Sequence, residues 1–217
     1  MHPDDPSFRL LTLAPPLLKP VAALYEDLLH RHGASPEGVG WIADSHQRDR
    51  FEVLAALMGA EENLVVNDLG CGYGALFDYL KDKPALRGGH YRGYDISAGM
   101  LAAAKARISD PRACFEQALV TTHSAHYSFV SGTFNLRYGS DEFSWTELIK
   151  DSLRNLARHS QRGFAFNLLS AYGGEIMPLY YHADPAFWLD FCLKEFSTKV
   201  ALRHDYGLRD FTISVRF

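Results

Sequence analysis

The chain has no surplus of basic residues. Its 217 residues include 22 Lys and Arg against 26 Asp and Glu, a formal net charge of -4 at pH 7. Binding to a nucleic-acid backbone depends largely on Lys and Arg, so this balance argues against a nucleic-acid partner. Cysteine is scarce too, since Cys71, Cys114 and Cys192 are the only three and lie far apart. They form neither a disulfide framework nor a zinc-spaced set, and they favour a reducing compartment.

The sequence also lacks a long apolar run. No stretch approaches the roughly 20 consecutive apolar residues of a membrane helix. The first ten residues, MHPDDPSFRL, combine acids and prolines where a secretory signal would have a basic region and then an apolar one. We therefore expect a cytoplasmic protein without membrane contact. The composition, 47% hydrophobic and 22% charged, is typical of a folded chain, and the length suits one core.

What the sequence does contain is an alternation of predicted strands and helices. The predicted strands are 64–68, 91–95, 113–117, 127–131, 163–169, 199–204 and 210–217, and the predicted helices are 17–32, 45–57, 75–81, 97–108, 145–159 and 185–196. Helices between successive strands are crossover connections, which predict a doubly wound, mostly parallel α/β sheet. Because residues 205–209 are too few for a parallel crossover, the last two strands should form an antiparallel hairpin.

A glycine-rich turn follows the first predicted strand. The stretch from Val65 to Gly74, VVNDLGCGYG, ends that strand at Asp68 and then places three glycines in five positions. A strand, a glycine turn and a helix bring backbone N–H groups and a positive helix end beside a ligand. Gly70 to Ala75 also satisfies the dinucleotide-binding fingerprint. Any tight turn between a strand and a helix could use such glycines, so a purely structural turn stays open.

Two acidic residues narrow the kinds of ligand. Asp95 ends the second predicted strand, where a carboxylate can accept hydrogen bonds from both hydroxyls of a ribose. Asp68 would repel a pyrophosphate, but it would attract a ligand with an amino group and a sulfonium, such as S-adenosylmethionine. Asp68 could instead cap the helix that follows the turn, and the two roles can coexist.

On these residues the sequence resembles the class I S-adenosylmethionine-dependent methyltransferases, whose first motif is similar to NDLGCGYG and whose second strand ends in an acid. The resemblance covers roughly residues 63–217. It implies a Rossmann-like seven-stranded sheet closed by the C-terminal hairpin, with S-adenosylmethionine as methyl donor and S-adenosylhomocysteine as product. The residues that it implies for the cofactor are Asp68 at the amino group, Gly70, Cys71, Gly72 and Gly74 at the methionine portion, Asp95 at the ribose, and Ile96 at the adenine.

Two positions depart from the family pattern. A Gly-Asp pair often follows the family's third strand, but Ala118 and Leu119 stand here, so Gln117 or the backbone is expected to contact the adenine amino group. His126 occupies a position before the fourth strand where many members have an acid. A narrower likeness, to small bacterial methyltransferases of surface-glycan and specialised-metabolite pathways, lies in GVGW, QRDRFEVL, SGTFNLR, RGFAFNLLS and HDYGLRDFTISV. It does not identify a methyl acceptor.

Candidates for the chemistry follow the fourth and fifth strands, because ligands of open α/β sheets bind beyond the carboxyl ends of the strands. Asn135 could orient both acceptor and cofactor, or it could cap its loop. His182 could be a general base, or a loop group without a catalytic role. The other residues expected at the acceptor are Trp41, Arg137, Tyr180 and Tyr181.

Residues 1–60 precede the predicted domain of residues 61–217 and are expected to form a helical cap over the cofactor. Within the cap, Arg50 could pair with the cofactor's carboxylate in the bidentate geometry that arginine favours, or it could lie on a solvated helix face.

The sequence therefore predicts a methyltransferase that acts on an oxygen or nitrogen of a small polar metabolite. One alternative is a nicotinamide-dependent oxidoreductase, disfavoured by Asp68 and the hairpin, and another is a noncatalytic cofactor-binding partner subunit. Aromatic residues near the C-terminal strands permit a homo-oligomeric interface.

Overall fold

A seven-stranded sheet forms the centre of the computed structural model, which describes residues 6–41 and 44–217. The strands are β1 Val65–Leu69, β2 His90–Asp95, β3 Ala113–Gln117, β4 Ala125–Val130, β5 Ser160–Leu169, β6 Lys199–Arg203 and β7 Asp210–Arg216. Their order across the sheet is β3-β2-β1-β4-β5-β7-β6. The β5–β7 and β6–β7 pairs are antiparallel, and the other neighbours are parallel. The doubly wound sheet and its antiparallel C-terminal hairpin are thus confirmed.

Helices connect and flank the strands. They are α1 Pro6–His32, α2 Asp44–Ala55, α3 Ala75–Leu80, α4 Ala98–Arg107, α5 Glu142–Arg158 and α6 Pro185–Glu195. The largest difference from the predicted bounds is at α1, which begins well before residue 17. This helix includes Pro15, Pro16 and Pro20. Because proline lacks the N–H that a helix interior uses, the sequence indicated a start after Pro16.

The two faces of the sheet carry two apolar cores. On one face, Phe164, Phe166 and Leu168 of β5 pack in a cluster with Trp188 of α6. Successive side chains of a strand point to opposite faces, and Ala165 accordingly belongs to the core on the other face. Asn167, two residues after Ala165 on β5, has its side chain on that second face.

The crevice of the fold lies where the parallel strands end. The carboxyl ends of β1, β2, β4 and β5 meet at one edge of the sheet, and the loops that follow them surround this crevice. α1 packs against α5 at this edge and contributes side chains to the crevice. Among the described residues, no helix combines the length and apolarity needed to cross a membrane.

Candidate functional site

The glycine turn is tied to the end of β2 by backbone hydrogen bonds. The N–H groups of Gly70 and Cys71 both donate to the carbonyl oxygen of Tyr94, at 2.7 and 3.0 Å. The N–H of Gly72 donates to Oδ2 of Asp95 at 2.8 Å. The two parts of the sequence on which the cofactor prediction depended are therefore adjacent in space.

Glycine is required in this turn by conformation and by space. Gly70, Gly72 and Gly74 have φ values of +75°, +53° and +85°, which side chains disfavour. A Cβ atom at Gly70 would lie 2.1 Å from Oγ1 of Thr133. That hydroxyl donates to the carbonyl oxygen of Leu69 at 3.1 Å, so the loop after β4 lies directly against the turn.

Two backbone donors fix the carboxylate of Asp95. Besides the bond from Gly72, Oδ1 accepts from the N–H of Ser97 at 2.9 Å. Burial raises the pKa of Asp95, while the N–H groups of Ser97 and Gly72 oppose that rise. Since each carboxylate oxygen can accept more than one hydrogen bond, this oriented group can still accept from the hydroxyls of a ligand.

Asp68 is the second acid at the same crevice, and it is buried more deeply than Asp95. Its residue is 2% exposed, and the hydroxyl of Tyr91 donates to its Oδ2 at 2.5 Å. Burial raises the pKa of Asp68 to about 7; the hydrogen bond from Tyr91 opposes this rise, and the charge of Asp95 adds to it. The carboxylate of Asp68 therefore accepts from Tyr91, and the residue at the N-cap position of α3 is Gly74.

A cavity of about 130 Å³ joins the two acids, which is room for on the order of ten water molecules. The predicted cofactor residues that line it are Asp68, Gly70, Cys71, Gly72, Asp95 and Ile96. Gly74 lies behind the turn, where a Cβ atom would contact Ile108 and Phe115. Most of the predicted cofactor set therefore faces a single cavity.

None of the residues by which α1 lines the cavity was among the predicted site residues. This helix lines the cavity with Leu10, Ala14, Leu18, Val21 and Tyr25. The members are three or four residues apart, so they share one helical face. The sequence shows that spacing, but it does not show which surface this face of α1 packs against.

Arg50, predicted to pair with the carboxylate of the cofactor, has partners within its own chain. Its Nε donates to Oδ2 of Asp210 in a buried ion pair, and its Nη1 donates to the carbonyl oxygen of His46 at 2.7 Å. The guanidinium carbon lies 3.9 Å from the ring centroid of Trp41. Arg50 thus binds a carboxylate of its own chain, and it is neither a solvated residue nor among the described residues that line the cavity.

Asn135 and His182 hold loops and are absent from the described cavity lining. The side-chain Oδ1 of Asn135 accepts from the N–H of Leu169 at 2.9 Å. The main-chain carbonyl oxygen of Asn135 accepts from the N–H of Tyr181. Nε2 of His182 accepts from the N–H of Met177 at 2.9 Å. Both side chains have the loop-holding contacts that were the alternative to a catalytic role.

The remaining acceptor-side residues differ in position. Trp41 lines the cavity. Arg137 donates through Nε to the carbonyl oxygen of Tyr180 at 3.3 Å, and the hydroxyl of Tyr181 lies 3.0 Å from Oγ1 of Thr146. Of these candidates, Trp41 alone belongs to the cavity lining within residues 6–41 and 44–217.

The two departures from the family pattern have local partners. Nε2 of Gln117 donates to the carbonyl oxygen of Ile96 at 2.9 Å on the exposed side, whereas Ala118 and Leu119 line the cavity. Nδ1 of His126 accepts from the N–H of Val65 at 2.8 Å. The side chains that line the cavity directly after β3 are therefore the apolar Ala118 and Leu119.

Comparison with known sequences agrees with this geometry. Residues 66–163 match the family described as a methyltransferase domain. A protein of Mycobacterium tuberculosis (strain ATCC 25618 / H37Rv), named as a putative methyltransferase, is 41% identical over 163 residues. The match covers 74% of this chain and 97% of that protein.

Solved structures share the fold at low sequence identity. Magnesium protoporphyrin IX methyltransferase from Synechocystis PCC 6803, with bound S-adenosylhomocysteine, has a TM-score of 0.65 and 16% identity, covering 91% of this chain and 98% of that one. An S-adenosylmethionine-dependent methyltransferase from Mesorhizobium loti has a TM-score of 0.56 and 18% identity, covering 78% and 98%.

Proposed function

The chain belongs to the class I S-adenosylmethionine-dependent methyltransferases, and from that premise we propose that it methylates an oxygen or nitrogen atom of a small polar metabolite. The chain is an enzyme of methyl transfer, with S-adenosylmethionine as donor and S-adenosylhomocysteine as product. The observation that supports the proposed site is a pair of acids, the buried Asp68 and the partly buried Asp95, which face one cavity at the carboxyl edge of the sheet.

The chain's own residues fit this cofactor. Asp68 is a buried carboxylate whose hydrogen-bond donor is the neutral hydroxyl of Tyr91, so an ammonium group would be a favourable partner. Asp95 is held so that it can accept from ribose hydroxyls. Ile96 and Leu119 offer apolar surface to an adenine ring. We propose these roles, with the main chain rather than Gln117 beside the adenine amino group.

Alignment and exclusion of water are the tasks left to the protein. Bound S-adenosylmethionine supplies a methyl carbon attached to a sulfonium, which leaves as a neutral thioether. Holding an acceptor in line with that carbon can supply several orders of magnitude in rate. The apolar face of α1, with Leu18 and Val21, lines the cavity, and we propose that it limits the access of water to the bound cofactor. A hydroxyl acceptor needs its proton removed, whereas an amine need only arrive neutral.

We also propose that residues 1–60 act as the cap of the active site. The face of α1 that lines the cavity supports this role, as does Trp41, which lies beside the loop after β4. In this arrangement α1 shields the cofactor and Trp41 lies on the acceptor side.

Two measurements test the proposed function. Calorimetry should detect binding of S-adenosylmethionine and S-adenosylhomocysteine, but not of NAD. A screen of small hydroxyl and amine compounds that detects S-adenosylhomocysteine release should then identify acceptors. NAD binding without S-adenosylmethionine binding would support the oxidoreductase instead. Cofactor binding with no product from any acceptor would favour the noncatalytic subunit.

Gly70→Ala is expected to weaken both the fold and cofactor binding. The new Cβ atom would overlap Thr133, and overpacking of this kind costs about 1–3 kcal/mol in addition to the backbone strain. Urea unfolding should show that loss, and calorimetry should show S-adenosylhomocysteine affinity at least tenfold lower, since the turn must shift.

Gly207→Ala is the matched control for this change. Gly207 has the same φ of +75°, but no heavy atom lies within 4 Å of its ideal Cβ position. We expect about 1 kcal/mol of backbone strain and unchanged affinity. Equal stability losses in the two variants would contradict the close contact between the turn and Thr133.

His182→Ala is expected to leave the pH profile of turnover unchanged, and turnover itself within about threefold, because His182 accepts a loop hydrogen bond outside the cavity lining. The measurement is turnover against pH with an acceptor from the screen, and His204→Ala serves as an exposed histidine control. A large loss of turnover at neutral and alkaline pH, together with the disappearance of the acidic limb of the wild-type profile, would instead identify His182 as the general base.

A further inference from the structure

Five segments that carry the narrower likeness meet in one place. Each contributes one residue: Trp41, Arg50, Gly132, Asn167 and Asp210. We call these five residues the polar cluster. The cofactor roles proposed above use none of them, and Trp41 and Gly132 line the cofactor cavity. The polar cluster therefore adjoins the proposed cofactor site without belonging to it.

Direct contacts connect the members of the polar cluster. The N–H of Gly132 donates to Oδ1 of Asn167 at 2.7 Å. A Cβ atom at Gly132 would lie 2.4 Å from Cζ2 of Trp41, so the indole ring covers this glycine. The guanidinium of Arg50 stacks on the same ring and pairs with Asp210. The contacts therefore run from the cavity wall to the start of β7.

Two buried polar atoms of the cluster lack partners. Nδ2 of Asn167 and Oδ1 of Asp210 have no hydrogen-bond partner in the described part of the chain, and both residues are 0% exposed. Leaving such an atom unpaired costs about 1–3 kcal/mol. Buried unpaired groups of this kind call for a polar partner that the chain itself does not supply.

The two atoms lie on the same face of the sheet. Asn167 pairs with Thr212, and Leu169 pairs with Asp210. Asp210 and Thr212 are two residues apart on β7, so their side chains point the same way as that of Asn167. The face is the one that α2 covers, since Arg50 of α2 reaches Asp210 there. A buried donor of β5 and a buried acceptor of β7 therefore lie on one face of the sheet, two register positions apart, near the carboxyl end of β5.

A neutral hydroxyl group matches this pair of atoms. A hydroxyl both donates and accepts, so it can donate to Oδ1 of Asp210 and accept from Nδ2 of Asn167. A protonated amine has donors but no acceptor, so it would leave Nδ2 of Asn167 unpaired. A carboxylate or phosphate would face the charge of Asp210. The formal charges of Arg50 and Asp210 cancel, so the pair has no net charge to attract an ionic ligand.

We propose that Nδ2 of Asn167 and Oδ1 of Asp210 bind a hydroxyl group of the methyl acceptor, which is a neutral hydroxyl-bearing molecule. This inference rests on the proposed function and names the acceptor class for the same site. Both residues are fully buried and absent from the described cavity lining. The ring of Trp41 lies on Gly132, whose N–H donates to Asn167, and in this proposal the acceptor reaches the two atoms when the ring moves off Gly132. Asn167 and Asp210 are acceptor-binding residues in this arrangement, and Trp41 forms the boundary with the cofactor.

Ethylene glycol is a small neutral probe for this site. Crystals of the wild-type protein with S-adenosylhomocysteine, soaked in the glycol, should show a hydroxyl within hydrogen-bond distance of both atoms. A water that the glycol does not displace, glycol bound elsewhere only, or a direct bond between the two side chains would overturn the proposal. Failure to bind S-adenosylhomocysteine would instead count against the proposed function.

A substitution isolates the Asn167 donor. Asn167→Asp keeps an oxygen to accept from Gly132 but removes the donor, so the glycol should be lost while S-adenosylhomocysteine affinity stays within about threefold. Thr212→Val is the control, because its hydroxyl pairs with Tyr206 at 3.0 Å and should leave the glycol in place. Glycol retained in Asn167→Asp would overturn the proposal, as would an acceptor screen that yields carboxylates, phosphates or amines but no alcohol.

Discussion

Asp68→Asn is expected to make the ligand-free protein more stable at neutral pH while it weakens S-adenosylmethionine binding on the order of 100-fold. The reason for both effects is the same buried carboxylate. A hydrogen bond to a charged group contributes about 1.5–3 kcal/mol, and asparagine would not provide that charge to the cofactor's ammonium group. Asparagine can still accept from the hydroxyl of Tyr91, so the packing around the position is kept.

The stability effect follows from the raised pKa of Asp68. In the unfolded chain the carboxyl has its ordinary pKa of 3.8, and burial raises it to about 7 in the folded protein. Well below pH 3.8 the acid is protonated in both states, so wild type and variant should differ little. As the pH rises from 3.8 to about 7, the free energy of unfolding of the wild type decreases. Above pH 7 the loss reaches about 4 kcal/mol, at 1.36 kcal/mol for each pKa unit.

Thermal unfolding at pH 5 and pH 8 and calorimetry over the same range measure these effects. The variant should unfold roughly 10 °C above wild type at pH 8, and the gain should shrink at pH 5. Wild-type affinity for S-adenosylmethionine should fall as the pH drops below 7, whereas the variant's affinity should not change there. Asp190→Asn, in an exposed ion pair with Lys194, should alter neither quantity. A variant with wild-type affinity would contradict the role of Asp68.

Arg50→Met is expected to destabilise the protein by about 3–5 kcal/mol, because it leaves the buried charge of Asp210 without its partner. Burial already raises the pKa of Asp210, and the charge of Arg50 opposes that rise. Urea unfolding at pH 7 measures the loss. Cofactor affinity in the folded protein should stay within about threefold of wild type, since Arg50 contacts Trp41 and Asp210 rather than the cavity.

Two further variants make the Arg50 result specific. Arg50→Met combined with Asp210→Leu should recover most of the lost stability, because no unpaired charge remains. Arg31→Met breaks an exposed pair with Asp27, whose side chains are both 54% exposed, and should cost less than about 1 kcal/mol. A large loss of cofactor affinity in Arg50→Met without a loss of stability would restore the predicted pairing of Arg50 with the cofactor.

Local sequence patterns were sufficient to predict the sheet and the glycine turn. The strands, the crossover helices and the C-terminal hairpin follow from periodicity and connection length, which neighbouring residues determine. Asp68 and Asp95 could be found because each ends a strand, and parallel strands bring those ends to one edge. The proposed cofactor side was therefore accessible from short stretches of sequence.

The candidate acceptor side depended on contacts between residues far apart in the chain. Asn135 and His182 were reasonable candidates as residue types, but their hydrogen bonds to Leu169 and Met177 are set by how the loops pack.

By itself, the sequence determined the sheet, the glycine turn and the two acids at the carboxyl ends of β1 and β2. Only the tertiary structure decided that Arg50 pairs with Asp210, 160 positions away, and which residues of α1 line the cavity. The physical reason is that backbone geometry is fixed by neighbours along the chain, whereas the partner of a buried charge is fixed by which surfaces exclude water together.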